Sequence, residues 1–350
     1  MPVRLKDIAE DLGVSVVTVS KVLRNHEDIS PETRKRVLKR IKELNYQPNL
    51  AARALVTGKT HLIGLVVPDL VHAFFAQVAK GVSRTLRKNG YSLIIASSEE
   101  DSELENAEIA RLLAHRIDAL IVASTQSSPD FLAEIQGARV PYLLLDRNFR
   151  DCEANFVGID DVEAGVLATQ HLIEIGCERI AYIGGRNVST ASNRLQGFKN
   201  AMAAHNIAIN ERYVICRSHL DDDADKTGYE AMKALLRRVP YPDGVFCYND
   251  PMATGAMQAI VEAGLHIPQD IALVGCGNVR YAPVLRVPLS SVDQDSESMG
   301  KKAGAIALEL VTGKSVEVRS VLMQPRLIVR ESTARNNGAT SRPRGNEAKK

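Results

Sequence analysis

Two short amphipathic stretches meet at a glycine near the start of the chain, and nothing else in it constrains the fold as strongly. In the run from Leu5 to Leu23, Ile8, Ala9 and Leu12 predict the inward stripe of one helix, with Val19, Val22 and Leu23 on a second. Ala9 is small where two helix axes must cross closely, and Gly13 can take the positive φ of a tight turn. Ser15 is a good N-cap for the second helix. The spacing of Ala9, Gly13 and Val19 predicts a helix-turn-helix that reads DNA, although two core helices of another bundle would share the periodicity.

A third helix is expected after Ser30-Pro31-Glu32, a capping serine followed by a proline suited to the first turn. Val37, Leu38, Ile41 and Leu44 give its apolar face, and Arg34, Lys35, Arg36, Lys39, Arg40 and Lys42 cover the rest. Such a run is a solvated face that also attracts phosphate. Residues 1–60 hold 12 Lys+Arg against 7 Asp+Glu, while the other 290 residues hold 32 against 35. A basic head on a mildly acidic body is expected when one end meets nucleic acid.

From residue 61 the pattern changes. Apolar, β-branched runs at 62–67, 91–96, 119–123, 142–145, 179–184, 213–216, 244–248 and 271–275 alternate with helical patterns near 74–89, 102–115, 161–175, 192–205, 222–238, 251–263 and 296–311. Strands apolar throughout and separated by helices predict parallel sheets covered on both faces. A chain of 350 residues has room for two such α/β subdomains, divided near 157–161, with ligands expected at the carboxyl ends of the strands. The five scattered cysteines form no CxxC and predict neither zinc ligands nor disulfides in a reducing compartment. No metal or cofactor motif is found. The opening residues do not suggest a secretory leader, and no apolar stretch suits a membrane span; a cytoplasmic protein is expected.

Residues 4–331 resemble the lactose-repressor (LacI/GalR) family of transcription regulators. The resemblance is carried by Leu5-Lys6-Asp7-Ile8-Ala9 through Val19-Ser20-Lys21-Val22-Leu23, by Ile29-Ser30-Pro31-Glu32-Thr33-Arg34, and by Leu44-Asn45-Tyr46-Gln47-Pro48-Asn49. In the body it is carried by Asn249-Asp250-Pro251-Met252-Ala253 and Gln294. It implies an all-α helix-turn-helix head over 1–46 and a hinge helix and linker over 47–60. A two-subdomain parallel-sheet, periplasmic-binding-protein-like body follows over 61–331, the chain crossing back near 288–295 and 320–325. Residues 332–350 are expected to be a disordered tail without a tetramerisation zipper.

The resemblance also implies roles. Val16, Val17 and Lys21 would meet base edges in the major groove, and Ser15, Thr18, Ser20 and Asn25 would contact phosphates. Val16 also fits a buried helix position. In the hinge, Leu55 would wedge between base pairs, Ala52 would allow close approach, and Arg53 would reach phosphate. A homodimer on a double-stranded, pseudopalindromic operator would follow, its affinity modulated in either direction by a small-molecule effector.

Effector contacts are expected from Asp69, Phe75, Asp146, Arg194, Phe246, Asn249, Asn278 and Gln294, with Phe74 and Asp250 close by. Carboxylates, amides and an arginine suit a polyhydroxylated ligand, on which Phe75 and Phe246 would stack. One departure stands out. Where the family commonly has Gly-aromatic-Asp-Asn or Gly-aromatic-Asp-Asp, this chain has Gly275-Cys276-Gly277-Asn278. That favours a bulkier ligand than a simple hexose, or one bound without the carboxylate. Regulation by a protein partner, or none, would fit the same head. A transport receptor or an α/β enzyme fits less well: the DNA-reading head argues against the first, and the missing Gly-x-Ser-x-Gly elbow and dinucleotide fingerprint against the second. His61, His72, His115, His171 and His205 read as surface or structural residues.

Overall fold

Gly13 takes φ 65° between α1 (Leu5–Leu12) and α2 (Val16–Leu23), the left-handed turn that its missing Cβ allows. The computed structural model describes residues 3–23, 26–46, 54, 58–150, 152–185, 188–216, 224–313 and 317–335. The chain divides into the units Met1–Thr60 and His61–Lys350. In the first, Ile8, Ala9, Val19, Val22 and Val37 form a small core with α3 (Pro31–Glu43). Ser15 caps α2 through Thr18 N at 3.0 Å, and Ser30 caps α3 through Thr33 N at 3.3 Å. Leu38 departs from its expected inward place. Val37, Ile41 and Leu44 keep the i, i+4, i+7 register of the inward face, which leaves Leu38 47% exposed.

The body has two sheets. One is built from β1 (Leu62–Val67), β2 (Ser92–Ser97), β3 (Ala119–Val122), β4 (Tyr142–Leu145), β5 (Asn155–Ile159) and β11 (Ser320–Met323), in the order β11-β5-β4-β3-β1-β2. The other holds β6 (Ile180–Gly184), β7 (Val214–Cys216), β8 (Gly244–Cys247), β9 (Ala272–Cys276), β10 (Ser290–Asp293) and β12 (Arg326–Ile328), in the order β12-β10-β9-β8-β6-β7. All pairings are parallel except β10 with β12. The central strands are apolar and buried because helices cover both faces.

In the first lobe these helices are α4 (Ala73–Lys88), α5 (Ser102–Ala114), α6 (Leu132–Gly137) and α11 (Ser296–Thr312). In the second they are α7 (Asp161–Glu174), α8 (Ser189–Ala204), α9 (Ala224–Leu236) and α10 (Asp250–Glu262). The chain therefore changes lobes after β5, after β10 and between β11 and β12. Three helix pairs pack backbone to backbone: α4 on α11 at Gly81 and Gly300, α7 on α8 at Gly165 and Gly197, and α9 on α10 at Gly228 and Gly255. A Cβ on Gly197 would stand 2.0 Å from the Val162 carbonyl oxygen, so no larger residue fits without moving a helix.

The body also runs past the expected start of the tail. Ser332 and Thr333 are buried, Ser332 Oγ donating to the Leu273 carbonyl at 2.6 Å, and Arg335 Nη2 donates to the Asp243 carbonyl at 2.6 Å. Residues 336–350 lie outside the described residues. Cys177, Cys247 and Cys276 are buried thiols, and Cys216 is exposed. Among the described residues no helix is long and apolar enough to cross a membrane, and no His/Cys/Asp/Glu group is arranged to hold a metal.

Candidate functional site

In the head, burying Val19 and Val22 turns the opposite side of α2 outward. Val16 is 43% and Val17 63% exposed, so Val16 is not the buried residue that periodicity alone also permitted. Ser15 Oγ and Thr18 Oγ1 lie 2.8 Å apart at the start of α2, which places both hydroxyls beside exposed helix amides. Lys21 pairs with Asp28. The basic face of α3 is partly committed within the head: Arg40 pairs with Asp11 and Glu43, Arg36 donates to the Leu12 carbonyl, and Arg34 to the His26 carbonyl. Asn25, Ala52, Arg53 and Leu55 lie outside the described residues.

In the body a cleft of about 720 Å³ opens between the lobes at the carboxyl ends of both sheets. Each strand order reverses there, between β1 and β3 and between β6 and β8, and such reversals are where open α/β sheets leave a crevice. The first lobe contributes Asp69 and His72 to Phe75 after β1, Glu99 and Glu100 after β2, and Asp146 and Arg147 after β4. The second contributes Arg194 from α8, Tyr248 and Asn249 after β8, Tyr281, and Gln294 after β10. Glu99, Glu100 and Asp146 have φ of 47°, 56° and 61°, left-handed conformations that side chains other than glycine adopt at a cost and that tend to gather at binding sites.

A buried polar network forms the floor. Arg194 donates from Nε to Asp161 Oδ1 at 2.8 Å, from Nη1 to the Tyr248 carbonyl at 2.8 Å and from Nη2 to Gln294 Oε1 at 3.3 Å. Its guanidinium also lies 4.9 Å from the centre of the Tyr248 ring. Arg147 forms a two-pronged pair with Glu100, at 2.7 and 3.0 Å, and donates to the Ser124 carbonyl. Asp146 is 6% exposed, and among the described residues no donor reaches its carboxylate. Burial raises its pKa against the opposing pull of Arg194 and Arg147. A carboxylate in that position readily takes hydroxyl hydrogens from a ligand.

Of the expected effector contacts, Asp69, Phe75, Asp146, Arg194, Asn249 and Gln294 meet at this cleft. Phe246 does not. It is fully buried in β8 against Tyr182, 5.4 Å between ring centres, because the alternation of the strand points it into the core. Asn278 is outside the lining as well, its Oδ1 accepting from Arg330 Nη2 at 2.6 Å. Asp250 is structural: its carboxylate accepts from Ser291 Oγ at 2.6 Å and Val279 N at 2.8 Å. A Cβ on Gly275 would come within 2.3 Å of that carboxylate. Sequence reasoning missed Arg147, Glu100, Tyr248 and Tyr281 as lining residues and set His72 aside. All but Tyr281 follow closely on a strand end, which was the available signal.

Known proteins share both units. The family model for bacterial regulatory proteins of the lacI family matches residues 4–49, and that for a periplasmic binding protein-like domain matches residues 169–333. The ribose operon repressor of Haemophilus influenzae is 35% identical over 330 residues, spanning 94% of this chain and 98% of the relative. The transcriptional repressor PurR of Pasteurella multocida is 33% identical over 332 residues, with the same coverage of each chain. A lac repressor dimer bound to operator and the anti-inducer ONPF superposes with a TM-score of 0.84 at 28% identity, covering 95% of this chain and 99% of that one. A CelR–cellobiose complex gives 0.72 at 29% identity, covering 94% and 99%. With a helix-turn-helix head, a two-lobed body and relatives matched along almost their whole length, this chain belongs to the lacI family of bacterial regulatory proteins and is a DNA-binding regulator of transcription.

Proposed function

We propose that the chain is a cytoplasmic repressor that binds a pseudopalindromic operator as a homodimer and changes its affinity when a sugar or related metabolite occupies the cleft. The observation that carries this reading is the cleft's composition. A donor-starved Asp146, a pre-oriented Arg194 and the aromatic rings of Phe75 and Tyr248 line a space of about 720 Å³, within the size range of small-molecule sites. The ligand-bound CelR and lac repressor structures support a small-molecule effector. On the head, Val16, Val17 and Lys21 read bases, while Ser15, Thr18 and Ser20 contact phosphates; Asn25, Ala52, Arg53 and Leu55 keep the DNA contacts expected for them. A second copy of the chain would cover Leu70 and Ile95, 52% and 41% exposed beside an apolar groove of about 360 Å³. Regulation, not turnover, is the activity assigned.

The test begins with thermal unfolding of the full chain across a panel of sugars, sugar acids, nucleosides and purines. A ligand at about a hundred times its Kd adds about 2.7 kcal/mol to the folded state, a shift of several degrees. Operator sites selected from random DNA are then titrated with and without the hit. A panel that moves neither the melting point nor operator affinity would sink the effector reading and favour a protein partner or unregulated repression.

A further inference from the structure

The bonds of the Asp250 carboxylate lead to one wall of the cleft. Asp250 opens α10, is fully buried and does not itself line the cleft. Its Oδ1 accepts from Ser291 Oγ at 2.6 Å and its Oδ2 from Val279 N at 2.8 Å. Ser291 Oγ accepts in turn from Asn278 N at 2.9 Å. Arg330, from the segment after β12, closes the ring: Nη2 donates to Asn278 Oδ1 and Nη1 to the Leu289 carbonyl, both at 2.6 Å. Elements α10, β10 and the segment after β12 thus grip one loop, residues 277–279, where it leaves β9. Gly277 and Asn278 have φ of 134° and 46°, left-handed conformations that the grip must sustain. A Cβ on Gly275 would stand 2.3 Å from Asp250 Oδ1, so the unusual Gly275-Cys276-Gly277-Asn278 run suits the carboxylate packed against it. The cleft wall follows at once. Ala282 N donates to the Val279 carbonyl at 2.9 Å, and Tyr281, Val284 and Leu285 line the cleft.

We propose that Asp250 is a positioning residue: its carboxylate, with Ser291 and Arg330, clasps the loop after β9 and so sets where Tyr281 stands in the cleft. The clasp depends on ionisation. Oδ2 faces an amide hydrogen, so a proton taken up by the carboxyl goes to Oδ1, and Ser291 must then turn its own hydrogen away. The bond from Val279 N also loses its charge assistance. Burial raises the pKa of Asp250 to about 6, against the pull of Ser291, the Val279 amide, Arg330 and Arg194. Cys247 on β8, Cys276 on β9 and Tyr281 in the loop also face it. The wall is therefore held firmly at neutral pH and loosened in mild acid. Its bearing on ligand affinity rests on the effector reading above; the clasp itself does not.

The chain has no tryptophan, so Tyr281→Trp gives a single emission signal at the wall of the full chain. Without ligand, that emission should shift as pH falls, with a midpoint at about 6. Adding Asp250→Asn should abolish the transition and leave the acid-form emission at neutral pH. This comparison separates Asp250 from Asp161, which burial raises to about 7. Ser291→Ala removes a bond that favours the charged carboxyl, so the midpoint should move to higher pH. A flat parent signal, a transition that survives Asp250→Asn, or a midpoint unmoved by Ser291→Ala would overturn the proposal. The last decides alone if Asp250→Asn does not fold. Ribose, glucose, cellobiose and adenine are then titrated, and any that binds should bind severalfold more weakly to Asp250→Asn. Equal affinity would overturn the role of the wall. No binding by any of them, with the titration intact, would sink the effector reading and leave the clasp supported.

Discussion

Arg194 enters the cleft already neutralised, with Asp161 Oδ1 2.8 Å from its Nε and the two side chains 3% and 5% exposed. The pair is set by α7 and α8, the helices that meet at Gly165 and Gly197. In the proposed effector site the guanidinium would therefore orient a ligand by hydrogen bonds more than attract it by charge. Removing the carboxylate would leave a buried cation with only a carbonyl and an amide oxygen. Asp161→Ala should cost about 3–5 kcal/mol of stability, read from the urea midpoint at unchanged m-value. A loss no larger than that of an exposed ion pair would show that water reaches the site.

Close helix packing makes a second, sharper prediction. Gly197→Ala places a Cβ 2.0 Å from the Val162 carbonyl oxygen, and Gly300→Ala one 2.1 Å from the Val78 carbonyl oxygen. Each should destabilise the body by about 1–3 kcal/mol or more, measured as a lower melting temperature by circular dichroism. Gly90→Ala, where a Cβ would meet nothing within 4 Å, suffers only the strain of φ 75° and should lose less.

His72 gives a pH signature. Burial lowers its pKa from 6.5 to about 4, with Asp69 and Glu100 pulling it up and Arg147 and Arg194 pushing it further down. The unfolded chain therefore takes up this proton first as pH falls, and stability contributed by the neutral ring is lost between pH 6.5 and about 4. Asp146 and Asp250, whose pKa values burial raises, slope the other way in that range, so the comparison must be with His72→Asn at each pH. The wild type should lose up to about 3 kcal/mol relative to the variant across that window, followed by urea denaturation. Parallel curves would show that the ring titrates normally.

At the head, Lys21 is held by Asp28 on an exposed surface. A lysine that reads guanine must leave that partner first. Asp28→Asn should therefore raise operator affinity severalfold, and Lys21→Ala should lower it and relax preference at one base pair, both by fluorescence anisotropy. Equal loss on all sequences after Lys21→Ala would make it a phosphate contact.

Assembly is tested by charge. Ile95→Glu places a carboxylate beside the apolar groove of Val67, Phe75, Ala76 and Ala79. Sedimentation should then show monomer with an unchanged circular dichroism spectrum, and operator affinity should drop with the loss of paired half-sites.

Long, continuous apolar runs such as Leu62–Val67 and Gly244–Cys247 were legible as strands, because burial on both faces leaves no polar positions in them. β5, β10 (Ser290–Asp293), β11 and β12 were not read as strands. Asn155, Ser320 and Arg326 begin short segments, and β11 and β12 lie at sheet edges where alternate side chains meet solvent. Asp146, Arg194 and Asn249 could be found because each follows a strand or opens a helix in a segment that resembles the family. Phe246 misled because its sequence neighbours Tyr248 and Asn249 do line the cleft, while strand alternation turns its own ring away. His72 was invisible as a site residue because Asn249, which it meets in the cleft, is 177 positions away.

The last crossings of the chain have a consequence for how the protein is cut and inherited. β11 completes one sheet and β12 the other, and both come from the short stretch that follows α11. A protease nick or a premature stop after Thr312 would unravel an edge of both lobes together, leaving neither as a shortened but working half. The two lobes thus survive truncation only as one.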